Sequence, residues 1–366
     1  MDQIPIPCSV VRGGTSKGLY FLAHDLPTDR KQRDKLLMAA MGSPDPRQID
    51  GMGGAHPLTS KVAVVSRSSR PDTDVEYLFL QVSPDRADVS DGQNCGNLLA
   101  GVGPFAIEQE LVSVHDGTTA VRVWMQNTQS RAVVNVQTPQ RKVRYDGPAQ
   151  IDGVPGTHAP ILIEFLDTAG STCGALLPTG RPVDVVEGVP VTCIDNGMPV
   201  VCIAASAFGA TGSEPPAQLE ADKPLTAKVE NIRLSAAYLM NLGDVTHMTI
   251  PKMCLVSEPT QGGALNTRTF IPHRVHTAIG VLGAVSVATA CVIDGSVAAN
   301  VATIHGIATG PQELQIEHPT GHFSVTVNVA RDHRGLPVIR ASLLSTARLL
   351  MRGEILVPDL TGVTTP

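Results

Sequence analysis

Aromatic side chains are scarce in this sequence: one Trp, four Tyr and seven Phe make up 3% of its 366 residues. The core must therefore be aliphatic, because 42% of the chain is hydrophobic and this length has sizeable cores to fill. Runs of Lys and Arg are absent too. With 28 basic against 34 acidic residues and a net charge of −6, nothing is laid out to track a phosphate backbone, and no nucleic acid is expected as a partner. The seven cysteines are scattered singly, without a C-x-x-C pair. That argues against a disulfide framework and a cysteine-pair zinc site, and free thiols suit a reducing cytoplasm. The opening MDQIPIPCSVV lacks a basic start followed by an apolar stretch, so it does not read as a secretory signal. The longest apolar stretch, residues 277–293, falls short of the roughly 20 residues a membrane span needs. Ser286 and Thr289 interrupt it. It reads as a buried helix, and no membrane is expected.

What the chain does have is a weak internal repeat of five landmarks in one order. A strand, a Gly turn and a second strand occupy 8–11, Gly13-Gly14 and 19–22, and again 191–194, Asn196-Gly197 and 200–203. Asn-Gly between apolar runs is a hairpin signal, since both residues tolerate positive φ. A polar-faced helix follows, over 29–41 and from near Pro224, the second placing Val229, Ile232, Ala236, Leu239 and Met240 along one face. Then come Lys-led strands at 61–66 and 252–257, and apolar, Gly-containing helices at 98–107 and 279–293. Hairpins close each half, at 121–136 around Asn127-Thr128 and at 314–329 around Pro319-Thr320-Gly321. A helix with no polar face must be enclosed on all sides, so each half reads as strands wrapped round one central helix. Pro104 lies inside the first of these helices and predicts a kink. Two similar domains are expected, 1–183 and 184–366.

The chemistry concentrates at two places. Cys95, in Asp91-Gly92-Gln93-Asn94-Cys95-Gly96-Asn97, stands at the entry of the first apolar helix. Unpaired N–H groups and the helix dipole favour an anion there, thiolate or carboxylate. Gly96 permits close approach of a ligand, and Asn94 and Asn97 add donors. The alternative is a small buried hydrophobe in a plain cap. Lys61 heads an apolar strand after a Gly-rich loop ending in Ser60; burial there favours the neutral amine, which accepts a proton. The alternative is an exposed flanking charge. In the second half His273, Arg274 and His276 precede the other apolar helix and suit an anion pocket. They also read as cap and surface residues, or the histidines as metal ligands, although no Asp, Glu or Cys lies near enough in sequence to complete a set. Arg12-Gly13-Gly14-Thr15-Ser16-Lys17-Gly18 misses the phosphate-loop spacing. It reads as a turn whose amides, Ser16 and Arg12 bind carboxylate, or as a structural turn alone.

RGGTSKG at 12–18, GSPDPRQIDGMGG at 42–54, LTSKVAVV at 58–65 and QNCGN at 93–97 resemble the PrpF-type isomerase family. CGALLPTG, IDNGMPV, MNLGD, PKMCLV and FIPHRVHTAIGV extend the resemblance over nearly the whole chain. It implies an α+β diaminopimelate-epimerase-like fold: two similar domains, each a barrel-like sheet around a central buried helix, with the active site in the cleft between them. It also implies a cytoplasmic isomerase with no cofactor and no metal, which moves a proton and a double bond in a small tricarboxylate keto acid such as 4-oxalomesaconate, or in aconitate or 2-methylaconitate. Lys61 and Cys95 match the family's acid–base residues. Arg12, Ser16, Ser60, Asn94, Gly96, Asn97, His273, Arg274 and His276 are the candidate substrate ligands, and a homodimer is the assembly considered. Epimerases of this fold use two cysteines, one at each helix. Here Thr277 and Ala278 stand near the second position, which puts two-cysteine racemisation in doubt. A cysteine-nucleophile hydrolase and a non-catalytic small-acid binder are the readings from other classes.

Overall fold

The computed structural model describes residues 3–92, 94–246, 248–271, 274–304, 310–331 and 337–359. In chain order the first elements are β1 (Gln3–Gly13), β2 (Ser16–Leu22), α1 (Arg30–Met41), β3 (Lys61–Arg67), β4 (Val75–Val82), β5 (Val89–Ser90), α2 (Gly96–Glu108), β6 (Gly117–Met125), β7 (Ser130–Thr138) and β8 (Ile161–Leu166). There follow β9 (Asp184–Val186), β10 (Val189–Asp195), β11 (Pro199–Ala204), α3 (Pro216–Ala221), α4 (Lys223–Leu239), β12 (Lys252–Ser257), β13 (Leu265–Ile271) and β14 (Arg274–Val275). The last are α5 (Val281–Cys291), α6 (Val297–Val301), β15 (Gly310–His318), β16 (Gly321–Arg331), β17 (Pro337–Ser345) and β18 (Ala347–Pro358). No described helix is long and apolar enough to cross a membrane.

Two compact units form, Met1–Ile163 with Leu344–Pro366, and Glu164–Leu343. This moves the expected division at 183/184. Residues 164–183 go with the second unit, and 344–366 return to the first because β18 pairs antiparallel with β1 along its whole length. Within each unit the strand pairing follows one plan. In the first, the β1–β2 hairpin lies parallel to the antiparallel pair β3–β4, which lies parallel to the β6–β7 hairpin. In the second, β10–β11, β12–β13 and β15–β16 repeat that order.

In the first unit β3 is buried on both faces, which is why 62–65 read as a continuous apolar run. Leu19, Phe21, Val62 and Val64 pack on Leu36, Leu37 and Met41 of α1. That helix starts where Asp29 accepts the Gln32 N–H at 2.9 Å and stops at Gly42, whose φ is 75°. Tyr20 turns to the opposite face and donates its hydroxyl to the Leu98 carbonyl of α2 at 2.5 Å. α2 is surrounded by β1, β2, β3, β4, β6, β7 and β18. Gly13 and Gly101 make that enclosure close: a Cβ at the first would collide with the Asn97 carbonyl, and at the second with the Tyr20 hydroxyl.

In the second unit every residue of α5 is buried. Ser286 and Thr289, which interrupt the apolar stretch, clip the β10–β11 turn to the helix. Ser286 accepts the Asn196 N–H at 3.1 Å, and Thr289 accepts the Asn196 amide at 2.8 Å. Those bonds set the turn. It spans Asn196, Gly197 and Met198, since Asp195 pairs with Pro199, and only Gly197 has positive φ, not both residues as expected. α4 begins as expected, with Asp222 accepting the Leu225 N–H at 3.0 Å and proline in its first turn, but Leu239 is exposed. α5 begins at Val281, later than expected, because 274–275 pair with β13 and the His276 ring accepts the Ala278 N–H.

Candidate active site

Lys61 opens β3, opposite Gly18 on one neighbour and Gln81 on the other. It is 8% exposed. Among the described residues no carboxylate pairs with it. Its Nζ lies 3.3 Å from Cys95 Sγ and 5.2 Å from the centre of the Phe79 ring. Cys95 is itself buried and is the N-cap of α2, with no side-chain hydrogen bond capping the helix. Asn94 Oδ1 accepts the Cys95 N–H at 2.8 Å, while the Asn94 amide lies against Met125 Sδ. Among the described residues no side chain caps this helix end, so the N–H groups of Gly96 and Asn97 and the positive end of the dipole are open beside the Lys–Cys pair.

Two tyrosines that sequence reasoning passed over hold this end in place. Tyr77 Oη donates to the Cys95 carbonyl at 3.2 Å, and Tyr20 to that of Leu98. Burial first, and then the charge of Cys95, keeps both phenols well above their ordinary pKa, so both stay donors. A tyrosine inside an apolar strand needs a partner for its hydroxyl, and that signal was present at both positions.

The remaining expected ligands divide. Ser16 is buried on β2, a strand that contacts α2, and its Oγ has no hydrogen-bond partner among the described residues. Asn97 Nδ2 donates to Thr15 Oγ1 at 3.0 Å, tying the β1–β2 turn to the helix entry. Arg12 is turned to the fold: Nη1 donates to Gly14 O at 3.0 Å, Thr346 O at 3.1 Å and Thr346 Oγ1 at 3.0 Å, while Nη2 is buried without a partner. Burial, then Arg348, lowers the Arg12 pKa. Ser60 is closed off, donating to the Val82 carbonyl at 2.9 Å and accepting from Gln48 at 2.7 Å.

In the second unit Arg274 lies on β14, exposed, with Nε 3.2 Å from Glu220, and is not brought to the N-terminus of α5. The His276 N–H donates to Thr269 O at 2.8 Å. His273 lies outside the described residues. No group of three or more His, Cys, Asp or Glu able to hold a metal occurs among the described residues.

The model of the PrpF protein family matches residues 3–358. The chain belongs to the PrpF family. It is 60% identical over 351 residues to a (4E)-oxalomesaconate Delta-isomerase of Novosphingobium sp. (strain KA1), covering 96% of this chain and 97% of that one. It is 55% identical over 358 residues to a 4-oxalomesaconate tautomerase of Pseudomonas putida, covering 98% and 97%. Among solved structures, a methylitaconate-delta-isomerase superposes with a TM-score of 0.86 at 34% identity, over 100% of this chain and 98% of the other. A hydroxyproline epimerase from Agrobacterium vitis superposes at 0.57 and 12% identity, covering 98% and 94%, a likeness of fold alone. The epimerase-like α+β architecture expected for this family is therefore the one present.

Proposed function

We propose that this PrpF-family isomerase acts on 4-oxalomesaconate and moves its proton through the Lys61–Cys95 pair. The observation that carries the reading is the 3.3 Å contact between a buried lysine and a thiol at an uncapped helix N-terminus. Lys61 Nζ takes a proton from a carbon made acidic by the neighbouring carbonyl, which leaves a dienolate. The pair then returns a proton to the carbon two positions on, and the double bond has shifted. Those two carbons are about 2.5 Å apart, so two adjacent groups on one face serve both ends. The N–H groups of Gly96 and Asn97 stabilise the enolate or a substrate carboxylate. Ser16 and Asn97 are the side-chain ligands, and Arg12 holds the turn that presents Ser16.

The hydrolase reading lacks its base, since Cys95 Sγ has Lys61 and no histidine as its partner among the described residues. The two relatives' names, a Delta-isomerase and a tautomerase, describe different bond changes. The paired geometry favours the carbon-to-carbon shift. The seven unpaired cysteines suit work in the cytoplasm. The test is an ultraviolet time course with 4-oxalomesaconate in D2O, run in parallel with cis-aconitate. The reading expects rapid turnover of the first, with deuterium entering at carbon. Faster turnover of cis-aconitate overturns the substrate, and deuterium confined to oxygen overturns the carbon-to-carbon shift.

A further inference from the structure

The first hairpin carries a charge pattern that the second lacks. Arg12 of β1 is paired with Lys17 of β2 on one side and with Arg348 of β18 on the other. Side chains opposite one another in antiparallel strands share a face, so three cations stand in a row. Neighbouring strands lie about 4.8 Å apart, which makes the row about 10 Å long. Among the described residues none of the three has a carboxylate partner. Like charges directly opposite one another destabilise a sheet, and the duplicated frame does not call for them. Gly18 is paired with Lys61 and Val200 with Lys252, which aligns the two hairpins. The pair that corresponds to Arg12–Lys17 is then Asp195–Pro199, with an acid and no base.

The surroundings of the row suit an anion. Arg12 Nη1 holds the turn, but Nη2 is hidden from water and has no acceptor. A buried guanidinium N–H left unpaired is unfavourable. Arg348 is exposed. His158 is near enough to both arginines for their charges, after burial, to lower its pKa. The row also projects away from α2, whose N-terminus holds Cys95. A Cβ at Gly13 would strike α2, and one at Gly101 of that helix would strike Val11. Arg12 stands between those two strand residues and so leaves the opposite face. The length of the row selects the ligand. A compact oxyanion cannot touch both ends together. Carboxylates spaced along a short carbon chain can, and a guanidinium takes each in two parallel bonds.

We propose that Lys17, Arg12, Arg348 and His158 form a second anion site, for a small di- or tricarboxylate, separate from the Lys61–Cys95 pair. One nitrogen of Arg12 holds the β1–β2 turn, and the other receives the ligand.

Tricarballylate, a saturated tricarboxylate with no carbonyl or double bond to react, tests this on the full chain. It can also enter beside Lys61 and Cys95, so binding is read at His158, from the ring-proton resonances that His158→Gln removes. A bound anion offsets the two arginines, and His158 should then titrate at higher pH than in the free protein. Arg348→Gln, and separately Lys17→Gln, should weaken tricarballylate binding by about tenfold or more, the loss expected for one charged hydrogen bond. Arg348→Lys keeps the charge without the fork and should bind more tightly than Arg348→Gln. Circular dichroism spectra of the variants should stay native. Inorganic phosphate should bind about tenfold more weakly than tricarballylate, since it meets fewer of the cations. A His158 titration that tricarballylate leaves in place, or glutamine variants that bind as the wild type does, would overturn the site. Phosphate that binds as tightly would overturn the polycarboxylate as its ligand.

Discussion

The two units of this chain carry the same strand order and different chemistry. Each has a lysine heading the strand parallel to its first hairpin, Lys61 on β3 and Lys252 on β12, and each encloses an apolar helix. In the first unit the helix starts at Cys95, and Lys61 reaches its sulfur. In the second the helix starts at Gly280, and Lys252 is buried with Arg233 as its charged neighbour; burial, then Arg233, pushes its pKa down to about 8. Duplication preserved the frame and the lysine, but only one copy supplies a thiol. One equipped unit is enough for a reaction that returns its proton on the face it left, whereas stereochemical inversion at one carbon needs two opposed groups.

The comparison breaks first at the lysines. Lys61→Met removes the amine and keeps the stem, and should lower turnover by roughly 10²–10⁴-fold, the span of a general acid–base residue. Lys252→Met should leave turnover within about twofold. Progress curves of the two variants decide it: equal losses would mean that the second lysine also handles protons. Cys95→Ser comes next. It keeps a small polar group but not the thiol's acidity, so turnover should fall by roughly 10²-fold with a smaller change in KM if the sulfur exchanges the proton. A variant with a raised KM and unchanged kcat would reduce Cys95 to a packing role.

Lys252 sharpens the contrast through stability. Its folded pKa of about 8 lies below the ordinary 10.5. Below pH 8 it is charged in both folded and unfolded chains, and the burial cost is present in full. Between pH 8 and 10.5 the folded chain gives up the proton first, so the cost is relieved as pH rises. Lys252→Met should therefore raise stability by up to about 3 kcal/mol at pH 7, with the gain fading towards pH 10.5. Urea melts at pH 7, 8.5 and 10 measure this. A gain that is constant with pH would place the effect in packing rather than charge.

Local pattern carried much of the molecule. The repeat, the Lys-led strands and both enclosed helices were all visible, because each rests on residues near one another in sequence. What could not be read joins distant segments. β18 pairs with β1 across almost the whole chain, and no periodicity announces that return, so the division at 183/184 missed it. Arg274 looked like a ligand because it precedes a helix, but Glu220 takes it from 54 residues away. Ser60 looked open beside a Gly-rich loop, yet Gln48 and the Val82 carbonyl use its hydroxyl.

The smallest effect expected concerns how the first unit aims its helix end. The Cys95 carbonyl accepts from both the Leu99 N–H and the Tyr77 hydroxyl. Cys95 C=O and Gly96 N–H belong to one planar peptide, so fixing the carbonyl fixes the direction of the N–H that the proposed mechanism aims at the enolate. Tyr77→Phe removes only the hydroxyl, from a ring that is fully buried. One neutral hydrogen bond is worth about 1 kcal/mol net, which predicts a roughly five-fold lower kcat. KM should change little, because the N–H aimed at the developing enolate contributes most in the transition state. Tyr20→Phe, one turn further into α2, should lose a similar bond but disturb kcat less, since the Leu98 carbonyl lies farther from the sulfur along the helix. Steady-state kinetics of the two variants, with thermal melts to match them for stability, separate aim from packing. Equal melts with unequal kcat support the aiming role, and kcat losses that simply follow the melting temperatures would remove it.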